Sequence, residues 1–377
     1  MITTLSLPDF IHASKDALVI DVRTPAEFEQ GHIIDATNLP LFTNEERVLV
    51  GTCYKQQGRQ PAILLGFELI GGRWAEYIRA VEQILTSAQN NSKKVFVHCW
   101  RGGMRSGAMA WALNMYGFDV YVLKGGYKTY RRFCVDTFET PYPIVILSGK
   151  TGCAKTSTLL EMQNLGEQVI DLEGLAHHQG SSFGSKGNEY QPSQEQFENN
   201  IAHQLCQMDT TKRIWLENES IVIGRREVPR GIFEQMRNAQ IIDIQLPSEE
   251  RIDFLHDDYG VLDKEFLKES VLKISKRLGP NETKISLLAI EENRMKDFIR
   301  QVLVYYDKTY QRGQEKREKS TIHSLPLERI APIENAMAVI ACCNQLFGKE
   351  ISRLFPITQK KQTEKELNNL SQKAYKK

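Results

Sequence analysis

The stretch VFVHCWRGGMRSGAMAWALNMYG, residues 95–117, decides how the first part of the chain folds. Val95-Phe96-Val97 is a short β-branched, apolar run of the kind that forms a buried strand. The Gly102-Gly103 pair forces a tight turn, after which the sequence takes up helical spacing. Cys99 therefore falls at a strand end beneath a helix N-terminus. Loop N–H groups and the positive end of the helix dipole favour an anion there, and Arg101 and Arg105 add two permanent charges. These conditions lower a thiol pKa, and the thiolate is the nucleophile, so Cys99 is a candidate for covalent catalysis. A free cysteine is more often a small buried hydrophobe, but the flanking arginines and glycines argue against that here.

Working outward, ALVIDVRTPAEFEQGHIIDATNLP (residues 17–40) reads as a strand ending at Asp21, a proline-started helix around Ala26–Gln30, a Gly31-His32 turn and a second short strand. DVYVLKGGYKTYRR (residues 119–132) reads as another strand, a glycine turn and a helix. Strands alternating with helices predict a parallel sheet covered on both faces, with reactive groups at the carboxyl ends of the strands. The segments DVRTPAEFEQGHI…NLP, HCWRGGMRS and LKGGY resemble, in this order, the signatures of rhodanese-type sulfurtransferase domains. Arg105 lies six residues past Cys99, the C-x5-R spacing found in cysteine phosphatases, one longer than in the small sulfurtransferases. A loop of that length suits a larger, phosphate-bearing donor.

FETPYP (residues 138–143) reads as a linker because proline disfavours helix for itself and for the residue before it. The next segment, PIVILSGKTGCAKTSTLLEM, runs from an apolar strand through Gly149-Lys150-Thr151-Gly152-Cys153-Ala154-Lys155-Thr156 into a helix. This is the G-x-x-x-x-G-K-[ST] phosphate loop with Ala154 in place of its second glycine. Loop N–H groups would wrap a diphosphate, Lys155 would neutralise it, and Thr156 would be the side chain to support Mg2+. Asp171 and Glu173 follow one further strand, and Glu217 and Glu219 follow another. Each of these carboxylates is a candidate metal support or base, with a solvated strand end as the alternative. His177 and His178 are weaker candidates for substrate contact. Residues 248–355 read as mainly helical, with Tyr305, Tyr306 and Tyr310 as packing positions.

A formal net charge of +1 predicts no global attraction to nucleic acid. Basic excess is local: the tail from residue 356 carries six lysines (Lys360, Lys361, Lys365, Lys373, Lys376 and Lys377) against two glutamates. Arg225, Arg226 and Arg230, just past LENES, form a second basic cluster and are candidate RNA contacts. Seven scattered cysteines with no C-x-x-C pair fit reduced thiols rather than a zinc site. No apolar run reaches membrane-spanning length and the N-terminus has no signal-peptide character, so a cytoplasmic protein with no membrane association is expected. The expected organisation is a rhodanese-like domain over residues 1–138, a P-loop α/β domain with a helical C-terminal part over 139–355, and a basic tail over 356–377.

The combination, with GTCYKQQG in the first domain and DLEGLAHHQGSSFG, QPSQEQFEN and LENESIVIG in the second, resembles the tRNA 2-selenouridine synthases over residues 1–355. The departures are Ala154, where that family normally has glycine, and Gln179, where it commonly has arginine; both bear on ligand affinity in the second domain. The resemblance implies a two-step change at the wobble uridine of certain tRNAs. Geranyl diphosphate places a geranyl group on the sulfur of 2-thiouridine, and selenophosphate then supplies selenium as the geranylated sulfur leaves. Lys150, Lys155 and Thr156 would stabilise the departing diphosphate. Cys99 would carry selenium as a perselenide while Arg101 and Arg105 hold the phosphate. Partners implied are a tRNA bearing 2-thiouridine and an enzyme supplying selenophosphate. The alternative is a persulfide sulfurtransferase fused to a P-loop kinase or ATP-dependent activator, which an ATPase assay with and without tRNA would separate from the first reading.

Overall fold

The computed structural model describes residues 1–89, 92–178, 190–260 and 262–348; Gln179 and the lysine-rich tail lie outside the described residues. The chain divides into two compact units: Met1–Thr137 together with Ser193–His203, and Phe138–Pro192 together with the chain from Gln204 onward. The second stretch of chain is thus interrupted, with residues 193–203 grouping with the first unit.

The first unit is built on a five-stranded sheet in the order Ile2–Leu5, Asp119–Leu123, Lys94–His98, Leu18–Asp21, Thr37–Asn38. Every neighbouring pair is parallel, so helices must cover the crossovers and the central strands are apolar on both faces. Val95, Phe96 and Val97 are fully buried. Helix Pro25–Gln30 starts with a capping box, in which Thr24 accepts the Glu27 amide and Glu27 accepts the Thr24 amide, and with proline in its first turn. GTCYKQQG ends helix Asn44–Gln57, and its final Gly58 caps the junction with helix Arg59–Ile70. The Cys99 loop leads into helix Met104–Tyr116, and LKGGY leads into helix Gly126–Thr137.

The second unit carries a five-stranded, all-parallel sheet in the order Ile322–Pro326, Gln240–Gln245, Ile144–Gly149, Ile214–Glu217, Gln168–Ile170. The central strand Ile144–Gly149 is buried throughout and delivers the phosphate loop to helix Lys155–Asn164. Helices Ser248–Tyr259, Lys264–Leu278, Pro280–Glu291 and Met295–Gln314 enclose a core of their own, which includes Leu255, Tyr259, Leu267, Val271 and Phe298. The strand Ile322–Pro326 interrupts the region expected to be mainly helical. It is a short edge strand paired on one side only, and five residues in which none is fully buried leave little periodic signal. Helix Pro332–Phe347 follows, and its Ala336, Val339 and Cys343 join the sheet core. No helix among the described residues is long and apolar enough to cross a membrane.

Candidate active sites

In the first unit, Cys99 is nearly fully buried, with its thiol at the C-terminal end of strand Lys94–His98. Its Sγ lies 3.3 Å from Ser106 Oγ and accepts the Gly103 amide at 3.3 Å. Burial pushes the thiol pKa up, but hydrogen bonds from Ser106, the Arg105 charge and the Gly103 amide outweigh it and leave the thiol lowered overall. Two glycine loops hold the cysteine in place. The Tyr127 amide donates to Cys99 O at 2.8 Å and the Lys128 amide to Trp100 O at 2.9 Å. Gly102 has φ +62°, and a Cβ there would lie 2.5 Å from Leu123 O; one on Gly126, at φ +62°, would collide with Cys99 O and Gly102 N. Side chains are excluded at both positions by backbone approach as well as by backbone conformation.

Arg101 is exposed. Arg105 is mostly buried and held by Glu27, with Nη1 donating to Oε2 at 2.5 Å and Nη2 to Oε1 at 3.0 Å. Burial works to raise the Glu27 pKa, but the Arg105 hydrogen bonds and charge prevail and bring it to about 2. The carboxylate that caps helix Pro25–Gln30 thus also aims an arginine of the cysteine loop, a link across 78 residues that no local motif signals. Beneath the loop, Arg23 chelates Asp21, donates to Gly31 O at 2.6 Å and lies 3.8 Å over the Tyr127 ring. The Tyr127 hydroxyl donates to Glu195 Oε1 at 2.6 Å and accepts from Asn199 Nδ2 at 2.7 Å. His98 is fully buried, and burial drives its pKa down to about 4, so it is neutral at physiological pH.

In the second unit, the phosphate loop, the carboxylates and the helical block surround one cavity of about 1000 Å³. Gly149, Thr151, Gly152, Cys153, Ala154, Lys155 and Thr156 line it, as do Asp171, Glu173, Glu217 and Glu219. Lys150 instead pairs with Asp307 at 3.1 Å. Arg251 binds the same carboxylate and donates to Thr151 O at 2.9 Å, which ties the loop to the helical block. Ala154 adopts φ 51°, ψ 39°, the left-handed conformation in which a glycine would be unstrained.

Glu173, Glu217 and Glu219 bring carboxylate oxygens within 4.8 Å of one another, and Thr156 Oγ1 donates to Glu217 Oε1 at 3.4 Å. Burial raises all three carboxyl pKa values; repulsion between the carboxylates adds to this for Glu173 and Glu217, and Lys155 opposes it. Burial works to lower the Lys155 pKa, but Glu217, Glu219 and Glu173 outweigh it, so the ammonium stays charged. Asp171 is turned toward the backbone, where it caps helix Leu172–Ala176 and accepts the Gly174 amide at 2.8 Å.

Part of the remaining lining is aromatic and apolar, namely Ile221, Phe233, Phe254, Leu255, Tyr259 and Tyr306, among polar and charged residues such as Asn218, Arg237, Asp258 and Arg317. Tyr305 and Tyr306 pack against the helical core as their spacing predicts, but Tyr306 and Tyr310 also face the cavity. His177 and His178 line it too. Arg225, Arg226 and Arg230 do not. Arg225 lies in the turn and Arg226 in the second strand of a hairpin of Val222–Ile223 with Arg226–Glu227, and Arg230 pairs with Glu234 on the surface.

A cysteine poised in a rhodanese-like loop and a P-loop domain with its own ligand-sized cavity define a two-domain α/β enzyme. Residues 6–132 match the rhodanese-like domain, and residues 142–336 match the tRNA 2-selenouridine synthase AAA domain. Relatives described as tRNA 2-selenouridine synthase occur in Shewanella woodyi, 33% identical over 81% of this chain and 90% of that protein, and in Shewanella frigidimarina, 34% identical over the same shares. A third, from Shewanella denitrificans, is 40% identical over 64% of this chain and 65% of its own length. The chain belongs to the tRNA 2-selenouridine synthase family and is a tRNA-modifying enzyme.

Proposed function

We propose that the protein converts 2-thiouridine at the tRNA wobble position to 2-selenouridine in two steps, geranylation in the second unit and selenium exchange at Cys99. The observation that carries the first step is the cavity itself, in which a phosphate loop and charged Lys155 share one space with an apolar, aromatic wall. That pairing suits an amphiphile with a diphosphate head and a hydrocarbon chain, and Phe254, Leu255 and Tyr259 supply the apolar contact. The thiouridine sulfur attacks C1 of the geranyl group, the C–O bond breaks with its electron pair on the diphosphate, and the base loses its N3 proton. Lys155 and the loop amides stabilise the charge that develops on the leaving group.

Glu173, Glu217 and Glu219 with Thr156 form an all-oxygen donor set of the kind Mg2+ prefers, beside the phosphate loop. The ion would supply further neutralisation of the diphosphate. Without it, the raised carboxyl pKa values favour retained protons, and a carboxylate that loses its proton is a local acceptor for the one released from N3.

For the second step, a perselenide on Cys99 needs a two-electron oxidation that selenophosphate, with selenium already at the selenide level, does not supply. The balanced course is attack of the Cys99 thiolate on phosphorus, with the P–Se bond breaking onto selenium. Selenide then adds at C2 of the base and expels the geranyl thiolate, and water releases phosphate from Cys99. The C-x5-R loop and Arg105 suit that role, since they bind a phosphoryl group and not selenium.

Mass spectrometry of nucleosides from 2-thiouridine tRNA tests the reading. With protein and geranyl diphosphate the S-geranyl nucleoside should form, and adding selenophosphate should convert it to 2-selenouridine. Cys99→Ala should stop at the geranyl stage. Direct selenation with no geranyl requirement would refute the two-step scheme.

A further inference from the structure

We infer that Arg237, Lys316 and Arg317 form a second anion subsite in the second-unit cavity, which takes a phosphodiester of the RNA while the phosphate loop takes the diphosphate. The inference rests on the functional reading above. All three residues line the cavity. The cations around the phosphate loop are matched by carboxylates: Lys155, in the lining, faces the glutamate trio, and Lys150 and Arg251, outside it, share Asp307. Arg237, Lys316 and Arg317 have no carboxylate partner among the described residues. Arg317, 7% exposed, donates only to neutral oxygens: Met236 O at 2.9 Å, Arg237 O at 3.3 Å and Asn218 Oδ1 at 2.7 Å. Arg237 Nη2 donates to Lys316 O at 3.3 Å. Burial, with Arg237 beside it, holds the Arg317 pKa down to about 10.

Capping the carbonyls at the end of helix Arg230–Asn238 explains why an arginine stands at 317. The same helix end favours a cation at Arg237, in its last turn, but it does not explain two arginines side by side, because like charges brought together in a partly buried site are unfavourable until an anion arrives. The loop's own matched cations and amides serve the diphosphate, which leaves the unmatched group for the other polyanion of the reaction. Lys316 is exposed, so the subsite opens to solvent, where a polymer backbone can lie. Arg225, Arg226 and Arg230 are outside the cavity, so the RNA contact nearest the chemistry moves from them to this group.

The test uses the full chain with Arg237→Ala, with Lys316→Ala and with both. Filter binding of 2-thiouridine tRNA across a salt series should show the slope of log affinity against log salt flattening by about 0.7–0.9 per lost contact. Calorimetric titration with inorganic pyrophosphate should give an unchanged affinity. Weakened pyrophosphate binding with an unaltered tRNA slope would assign the cluster to the diphosphate and overturn the inference, as would no change in either. A wild-type protein that fails to bind tRNA would refute the functional reading as well; one that binds while the variants match it refutes the subsite alone. Exposed Lys316 keeps the test decisive if Arg237→Ala does not fold.

Discussion

Glu27→Gln isolates the charge that aims Arg105. Glutamine keeps one oxygen to accept the Thr24 amide that caps helix Pro25–Gln30, while its amide nitrogen cannot accept, so the ion pair and one of the two Arg105 hydrogen bonds are what it removes. The Glu27 pKa falls from 4.5 to about 2 in the folded protein. At about 1.36 kcal/mol per pH unit, that difference sets a ceiling of about 3.4 kcal/mol on the contribution of the charge to stability. The side chains are 14% and 27% exposed, so water screens part of it, and a loss of about 2 kcal/mol at pH 7 is expected. Because the folded pKa lies below the unfolded one, this stabilisation is complete above pH 4.5 and disappears as the pH falls through about 2. Urea titrations at several pH values, followed by tryptophan emission, would read it, since Trp74, Trp100 and Trp111 all lie in the first unit and Trp215 alone in the second. The gap between variant and wild type should be widest near neutrality and shrink steadily below about pH 4.5. A gap under about 0.5 kcal/mol at pH 7, as for an ordinary surface pair, or one that does not change with pH, would refute the argument.

Lys155→Ala should cut the geranylation rate by about 10² to 10³, because the ammonium acts on charge that develops mainly in the transition state; near-normal rates would show that the loop serves another ligand. Ser106→Ala removes a hydrogen bond to the Cys99 thiolate, so the pH profile of iodoacetamide labelling should move to higher pH, and an unmoved profile would separate the hydroxyl from the thiol's acidity. Ala154→Gly should relieve about 1–2 kcal/mol of left-handed strain against about 0.5–1 kcal/mol of added chain entropy, for a net gain of up to about 1.5 kcal/mol. A lower melting temperature for this variant would show that the buried methyl group outweighs the strain.

What could be read from the sequence was the chemistry written in contiguous residues. The Cys99 loop and the phosphate loop each follow an apolar strand and precede a helix, so strand, turn and helix patterns reinforce one another locally. Glu217 and Glu219 were readable as a strand end, but Glu173 joins them only through the fold. The Glu27–Arg105 pair and the convergence of Arg237 with Arg317 are tertiary juxtapositions, and charged residues on helices look the same whether they meet a partner or water. The cavity wall was hidden for a different reason. Leu255, Tyr259 and Tyr306 carry the helical periodicity of core positions, and they are core positions whose outer edge is left for a ligand.

Residues 193–203 bear on how the protein is made. They provide the Glu195 and Asn199 partners of the Tyr127 hydroxyl, the Glu198 partner of Arg131, and the Gln196 oxygen that accepts the His32 amide at 2.8 Å. About 55 residues of the other unit are translated between Thr137 and Ser193. At about 5–20 residues per second, the nascent first unit waits roughly 3–11 s with those groups unmatched. Its last hydrogen bonds form only after two strands of the P-loop sheet, Ile144–Gly149 and Gln168–Ile170, have been synthesised, so a gene fragment cut at residue 138 would encode a rhodanese-like sheet lacking the segment that completes it.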